Sequence, residues 1–384
     1  MNIAFVTPEF PNPKTGVAGG IGTSILNLSK GLSLLGNNVL IFVYGQNKDE
    51  VVSCEHYTIY KIKNRKFGSL TRFLTQKKVQ SVLNILIAQD KVDIVEFPDW
   101  TGFSSNINLK CPNVIRLNGS DTYFCHLDNR KVKIKNYIEE KNALTKATGL
   151  LSVSAYTAIL TKKLFTIDRN FEVIPNCIDL TKFINNNDIK VNENTLLYFG
   201  TLIRKKGLLE LPLIFNEVYK KNPNVKLVLI GRDASDATSG AKSTWSIMKT
   251  LFDVNAINNV NYMGSVGYDE IKEHICKATL CIFPTFAEAL PVSWIEAMAL
   301  EKAIVASNIG WAKEVIDDGE NGYLVDPINH ILFAAKIIEL IENETLRVSF
   351  GLKAKEKASK NFSIEVVAKK NLEYYKKLIK NLHD

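Results

Sequence analysis

The sequence predicts an α/β protein made of two doubly wound, parallel-sheet domains joined by one linker. Three observations predict it. Short runs rich in Val and Ile alternate with longer amphipathic stretches, the alternation breaks once in a polar, Asn-rich segment, and it then restarts with the same rhythm. Strands that alternate with helices run parallel and are covered on both faces, so they read as continuous apolar runs. With 384 residues, 46% of them hydrophobic and 23% charged, each half is long enough to bury its own core.

In the first half, strands are expected at Ile3–Thr7, Val39–Tyr44, Val92–Glu96, Asn113–Leu117, Gly149–Val153 and Phe171–Ile174. Helices are expected between them near Gly20–Leu35, Leu70–Gln89, Lys131–Lys146 and Ala155–Phe165. The stretch 181–194 contains INNNDIKVNEN, too polar to bury, and reads as the linker between domains 1–180 and 195–362. Strands then resume at Thr195–Phe199, Lys226–Ile230, Val260–Met263, Leu280–Phe283 and Ala303–Ala306, with helices at Lys206–Lys220, Thr244–Asn255, Tyr268–Cys276 and Pro291–Leu300. From about His330 the chain is rich in Lys, Glu, Leu and Ala and reads as helical; its last helix, about 363–384, is expected to pack back on the N-terminal domain. Two such sheets joined by one linker predict a cleft between the domains, a common place for ligands.

Bulk properties exclude several classes. The net charge of +8 fits either a solvated surface or affinity for phosphates or an anionic membrane face. No basic-aromatic stripe or zinc spacing points to nucleic acid, so no nucleic-acid partner is expected. Cys54, Cys111, Cys125, Cys177, Cys276 and Cys281 form no CxxC pair and read as reduced thiols of a cytoplasmic protein. MNIAFVTPEF is too short and too soon broken by Pro for a signal peptide. No apolar run approaches the roughly 20 residues that span a bilayer. The basic stretch Lys131–Lys146 leaves open a peripheral contact with the inner face of a membrane.

The segment that carries chemistry is FPTFAEALPVSWIEAMAL, Phe283–Leu300. A strand ends near Phe283, a loop carries Glu288, and Pro291 sits where the first helical residue is expected. The open N-terminus of that helix presents unpaired N–H groups and a partial positive charge, a seat for a diphosphate. Glu288 lies just before this tip and Glu296 about 8 Å along the axis, so the two acids can meet hydroxyl groups at either end of a nucleoside diphosphate sugar. Taken alone, Glu-x7-Glu is a loop acid plus a helix-face acid; the strand, loop, Pro and helix around it make it specific.

This segment resembles the EX7E motif of the retaining glycosyltransferases of family 4. Other segments resemble the same family in the same order: MNIAFVTPEFP with GGIGTSILNLSKGLSLLGNNV, then VIPNCIDLTKF, YFGTLIRKKGLLEL, VNYMGSV and EVIDDGENGYLVDP. The resemblance covers nearly the whole chain. It implies the GT-B fold, two Rossmann-like doubly wound domains facing across a cleft. It also implies transfer of a hexose-type sugar from a UDP- or GDP-sugar donor to a hydroxyl acceptor (a glycan, a lipid-linked sugar or a small molecule), as in surface polysaccharide or glycoconjugate synthesis.

Carried over by position, the resemblance assigns Glu288 to the donor sugar, Glu296 to the ribose, and the backbone of Ala289, Leu290 and Val292 to the phosphates. Lys206 matches the family's diphosphate-binding Lys. The partner Arg usually follows the strand-end glycine, but Thr201 follows Gly200 here, leaving Arg204 as the candidate within the loop. Such cations stabilise the charge that develops on the leaving diphosphate, and they stand where a metal otherwise would. With no DxD-type cluster and no His/Cys metal spacing, no metal and no cofactor are expected. Gly20, in the loop Gly19-Gly20-Ile21-Gly22, is expected near the donor phosphate or the acceptor, and Gly264 and Val266 near the base. In RLNGSDTYF, Asn118 stands where many relatives place a His; it can hydrogen-bond but not titrate. Asp121 nearby is either a proton acceptor or a helix-start residue, and the donor phosphate is the other candidate for the proton. Asp99 and Trp100 either touch the acceptor or anchor their loop. Two other readings remain: a non-catalytic nucleotide-sugar binder, motivated by Asn118 and Thr201, and another enzyme on this fold such as an epimerase.

Overall fold

The computed structural model describes residues 1–16, 18–184 and 189–381, with only the backbone described at Tyr268 and Asp269. Residues 185–188 of the expected linker and 382–384 of the expected last helix lie outside the described residues. The chain divides into two compact units, Met1–Asp179 with Asn361–Asp384, and Leu180–Lys360.

In chain order, unit 1 comprises β1 (Asn2–Thr7), α1 (Gly20–Leu34), β2 (Asn38–Gln46), β3 (Glu50–Ser53), β4 (Thr58–Lys63), α2 (Thr71–Ile87), β5 (Ile94–Pro98), β6 (Asn113–Leu117), α3 (Asp121–Leu127), α4 (Ile134–Lys146), β7 (Gly149–Ser152), α5 (Ala155–Phe165) and β8 (Glu172–Val173). Unit 2 comprises β9 (Thr195–Phe199), α6 (Leu211–Lys221), β10 (Lys226–Ile230), α7 (Thr244–Leu251), β11 (Val260–Tyr262), α8 (Tyr268–Lys277), β12 (Leu280–Phe283), α9 (Val292–Ala299), β13 (Ile304–Ser307), α10 (Ala312–Val315), β14 (Tyr323–Val325), α11 (His330–Glu342) and most of α12 (Glu344–Phe362). Helix α13 (Ile364–Lys380) returns to unit 1.

Among the described residues, the unit 1 sheet has the order β3-β4-β2-β1-β5-β6-β7-β8 and is parallel except for β3 on β4. The unit 2 sheet has the order β11-β10-β9-β12-β13-β14 and is parallel throughout. Both reverse direction of winding beside their first strand: between β1 and β5 in unit 1, and between β9 and β12 in unit 2. Such switch points open a crevice at the carboxyl ends of the strands, where doubly wound folds bind ligands.

The sequence of β1 shows why these strands read as unbroken apolar runs. Ala4 and Val6 join one core cluster with Leu40, Phe42, Val95 and Phe97. Ile3 and Phe5 point the other way and join Val39, Ile41 and Ile94. A period of two therefore feeds two cores, one on each face, and no position is left for a polar residue. The second strand in this order, β4, and its antiparallel partner β3 at the edge were not expected from the sequence. Strand β4 reads TIYKIK, with Lys61 inside the run and paired to Glu50 of β3 at 3.0 Å, so it lacks the apolar continuity of its neighbours.

Helix α13 closes the second face of unit 1. Its Ile364, Val367, Ala368 and Tyr375 are buried in the core that includes Ile3 and Phe5. It approaches α1 at Gly31, where any Cβ would run into Ala368 and the Ile364 carbonyl. A buried polar network pins it to the sheet: Arg116 Nε donates to Glu96 Oε1 at 2.6 Å, the Tyr375 hydroxyl donates to Glu96 Oε2 at 2.5 Å, and the Asn371 amide oxygen accepts from Arg116. A charge pair buried this deeply is tolerable because each of these groups is met by a partner.

Candidate functional site

The residues proposed for the donor lie at the switch point of unit 2. Strand β9 ends at Phe199, and Gly200 follows with φ +141°. The chain then makes a single 3-10 turn, Arg204–Lys206, which Gly207 ends in the left-handed region at φ +74°. The helix expected from Lys206 therefore starts five residues later, at Leu211. The cause is steric. A Cβ at position 207 would overlap the Pro284 carbonyl oxygen, so this loop can press on the β12–α9 loop only with glycine there. The same two loops are also hydrogen-bonded: the Lys205 carbonyl accepts from the N–H of Phe286 at 2.9 Å and of Ala287 at 3.1 Å.

This bolting brings Lys206 and Glu288 together. Lys206 Nζ stands 2.9 Å from Glu288 Oε1, with the two side chains 22% and 18% exposed. Burial pulls the ammonium down most strongly, but the charge and hydrogen bond of Glu288, with Tyr198 and Glu296, together outweigh it, and the Lys206 pKa ends above its usual value. Burial pushes the Glu288 carboxyl up, but Lys206 and then Lys205 outweigh it and hold it below the usual carboxylate range. Glu296 projects from α9 only 6% exposed. Lys206 thus bonds Glu288 directly and also feels the charge of Glu296.

Helix α9 begins at Val292, one residue later than expected. Pro291 is its N-cap, with ψ +117°, and makes no side-chain cap hydrogen bond. The ring of Trp294 stacks on Phe283 with centroids 6.0 Å apart, which fixes the helix against the end of β12. Ala289 and Leu290 are buried in the loop before the tip. Gly264 follows β11 and is tied to the same edge: its carbonyl accepts from Gly231 N–H at 2.8 Å, and Gly231 packs so closely on the Gly200 carbonyl that a Cβ there would overlap it. Val266 lies half-buried two residues on, just before the Gly267 cap of α8.

Arg204 differs from its expected part. Its Nε and Nη2 clamp the Asp236 carboxylate at 2.8 and 2.7 Å, and that bond holds the Asp236 carboxyl well below its usual range. Asp236 lies 32 residues away in sequence, on the loop after β10, so nothing local signalled the pair. The guanidinium supports the loop over the site, with its charge already matched.

In unit 1, Gly20 opens α1 and Gly19 caps it. The Glu9 carboxylate, which the sequence reading did not single out, accepts from Gly22 N–H at 3.2 Å and sits on this helix start. Asn118 follows β6, and its N–H donates to Asp99 Oδ1 at 3.0 Å. Asp99 is only 2% exposed and its Oδ2 has no hydrogen-bond partner. It therefore anchors the Asn118 turn. Burial pushes its carboxyl up to about 8, against the Asn118 bond, and the charge of Glu140 adds to the rise. Asp121 is the first residue of α3, and its Oδ2 accepts from Asn136 Nδ2 at 2.8 Å. Glu140, also not foreseen, seats its carboxylate on the start of α3, accepting from the N–H groups of Asp121 at 2.9 Å and Thr122 at 3.2 Å. Asp121 thus acts as a helix-start residue held by Asn136. Among the described residues, no group of three or more His, Cys, Asp or Glu side chains is placed to hold a metal ion.

A family model described as "Glycosyl transferases group 1" matches residues 179–357, and one described as "Glycosyltransferase Family 4" matches residues 18–182. The chain is similar to an uncharacterized glycosyltransferase of Methanocaldococcus jannaschii, 25% identical over 357 residues that cover 90% of this chain and 91% of that protein. It is similar to the capsular polysaccharide biosynthesis glycosyltransferase CapM of Staphylococcus aureus, 27% identical over 60% of this chain and 62% of that one. Among solved structures it is similar to sucrose-phosphate synthase from Thermosynechococcus elongatus, with a TM-score of 0.80 at 19% identity over 99% of both chains. It is also similar to Anabaena HepE in complex with UDP and glucose, with a TM-score of 0.74 at 19% identity over 97% of this chain and 99% of that one.

Proposed function

The chain belongs to the glycosyltransferases of family 4 and group 1 and has their GT-B fold, and on that premise we propose that it transfers a hexose-type sugar from a nucleoside diphosphate sugar to a hydroxyl acceptor, with retention of configuration. The observation that carries the reading is the Lys206–Glu288 pair, 2.9 Å apart beside the start of α9. The tip of α9, with the backbone around Ala289, Leu290 and Val292, takes the diphosphate; Lys206 turns from Glu288 to the phosphate oxygens; Glu288 is then released to the donor sugar and Glu296 to the ribose. Gly200, Gly264 and Val266 leave room for the nucleoside along the strand ends.

In the reaction, the bond between the anomeric carbon and the β-phosphate oxygen breaks and a bond from that carbon to the acceptor oxygen forms on the same face. The acceptor proton passes to the departing phosphate. This route is favoured because Asn118 cannot titrate and the Asp121 carboxylate is held by Asn136. Lys206 supplies the positive charge that the leaving group needs, so the reaction is proposed to run without a metal. HepE was solved with UDP and glucose, and the name of CapM places that protein in capsular polysaccharide synthesis. These relatives support a UDP-sugar donor and a surface-glycan product. Six free thiols support a cytoplasmic site of action.

A thermal-shift screen of UDP- and GDP-sugars followed by turnover assays tests the proposal. A stabilising donor should be consumed, Glu288→Gln should lower turnover by about 100-fold or more, and EDTA should leave the rate unchanged. Donor binding with no turnover by the wild-type chain would support the binder reading. Wild-type turnover in the Gln variant would remove Glu288 from the reaction.

A further inference from the structure

We propose that Glu9 selects the acceptor: it holds an uncharged, hydroxyl-rich acceptor, a sugar ring without phosphate, at the switch point of unit 1, and it turns phosphorylated acceptors away. The inference rests on the transferase reading of the donor site and adds the acceptor class. In a doubly wound domain, ligands bind in the crevice at the switch point. Unit 1 has its switch point between β1 and β5, and Glu9 is the second residue after β1 ends at Thr7. Thr7 is fully buried and fixes the acid from below. Its hydroxyl donates to the Glu9 carbonyl at 2.8 Å, and the Glu9 N–H donates to the same hydroxyl oxygen at 3.3 Å.

The carboxylate lies across the glycines that open α1. Oε1 accepts from Gly22 N–H at 3.2 Å. A Cβ on Gly19 would come within 3.2 Å of Oε1 and 3.5 Å of Oε2, and one on Gly22 would meet the Glu9 carbonyl at 3.0 Å. Glycine at both positions lets the acid approach this closely. The second oxygen is left over: among the described residues Oε2 accepts no hydrogen bond, and Glu9 is only half-buried. Room for a ligand lies beside it. Gly20 is exposed, and a Cβ there would meet no described atom within 4 Å outside its own helix.

Charge decides what can use that room. A helix start favours an anion, but here the protein's own carboxylate has taken the place. A phosphate brought to Gly20 would face Oε2 with like charge, whereas a hydroxyl would donate a strong hydrogen bond to it. Across the switch point, Asp99 follows β5 and adds a second carboxyl, 2% exposed, whose Oδ2 has no partner. Unit 2 is built the other way: the loop after its first strand carries Arg204, Lys205 and Lys206. Phosphates are therefore met in unit 2 and hydroxyls in unit 1.

Ligand-detected NMR titration of the full chain in the presence of UDP tests this, using glucose, galactose, mannose and N-acetylglucosamine, each beside its 6-phosphate. At least one neutral sugar should bind, and its 6-phosphate should bind about tenfold more weakly or worse. Glu9→Gln keeps an oxygen for the Gly22 N–H, so the fold should stand. It should weaken the neutral sugar by about tenfold and bring the 6-phosphate to within about threefold of it. Gly20→Leu places a side chain in the open room and should abolish sugar binding with the melting temperature unchanged. Should Glu9→Gln unfold, Gly20→Leu carries the test. No binding of any neutral sugar, equal or tighter binding of the 6-phosphates by the wild-type chain, or unchanged binding in these variants would overturn the proposal. A stabilising donor that no sugar causes to be consumed, with the Glu9-dependent preference intact, would instead overturn the transferase reading while supporting the sugar site.

Discussion

Replacing Lys206 by Met should destabilise the unliganded protein, because it takes away the cation bonded to the Glu288 carboxylate and not merely a packing contact. At 2.9 Å the pair attracts with a gross energy of about 6 kcal/mol at an effective dielectric constant near 20. Breaking a fully buried pair costs about 3–5 kcal/mol, and breaking an exposed one about 0–1. Side-chain exposures of 22% and 18% place this pair between those limits. We therefore expect a loss of about 2–3 kcal/mol for Lys206→Met and about 1–2 for Glu288→Gln. The double variant should lose less than the sum, since neither charge then remains without the other, with a coupling of about 1–2 kcal/mol. Urea unfolding of the four proteins at pH 7 measures this. That pH lies inside the window in which the pair is charged. Glu288, held below its usual pKa, contributes stability above the unfolded carboxylate value and loses it as pH falls through the depressed one. Lys206, held above its usual pKa, contributes below the unfolded lysine value and loses it as pH rises through the raised one. Additivity within about 0.5 kcal/mol would refute the argument.

Two other outcomes follow from the same geometry. Gly207→Ala forces a side chain into the left-handed region and onto the Pro284 carbonyl, so it should cost about 2 kcal/mol or more and weaken donor binding by displacing Lys206; an unshifted melting temperature would show that the two loops are not bolted there. Asp99→Asn keeps an acceptor for the Asn118 N–H but removes a carboxyl whose pKa is raised to about 8. Because the native state holds this proton longer than the unfolded chain, wild-type stability should fall as pH rises from about 4 to about 8, by on the order of 4 kcal/mol at pH 7 from this group alone. The Asn variant should lose that slope and be the more stable protein at pH 8, and parallel stability–pH curves would contradict the assignment.

The fold class was legible because burial on both faces of a parallel sheet leaves its mark on the central strands, as in β1 and β12. The strand β4 escaped notice because Lys61 interrupts it, and that lysine makes sense only beside Glu50 on a strand not seen either. At the proposed donor site, Glu288 and Glu296 could be marked on the chain because they flank a strand, a loop and a helix start, and Lys206 by its resemblance to the family's diphosphate-binding Lys. The bond between Lys206 and Glu288 could not be read in the same way: it spans 82 residues and depends on Gly207 meeting Pro284.

By itself, the order of residues determined what depends on near neighbours: which segments are strands or helices, where an open helix tip falls, and which acids and cations stand near it. Tertiary structure alone decided the partners. It gave Arg204 to Asp236, Asp99 to the Asn118 turn and Asp121 to Asn136, and it brought Tyr375 and Asn371 to a salt bridge more than 250 residues upstream. It also brought Arg72 to Glu139, 67 residues on in the chain. The physical reason is range. Periodicity and capping act over a few residues, whereas the partner of a charge is set by strand order and by how closely loops can approach.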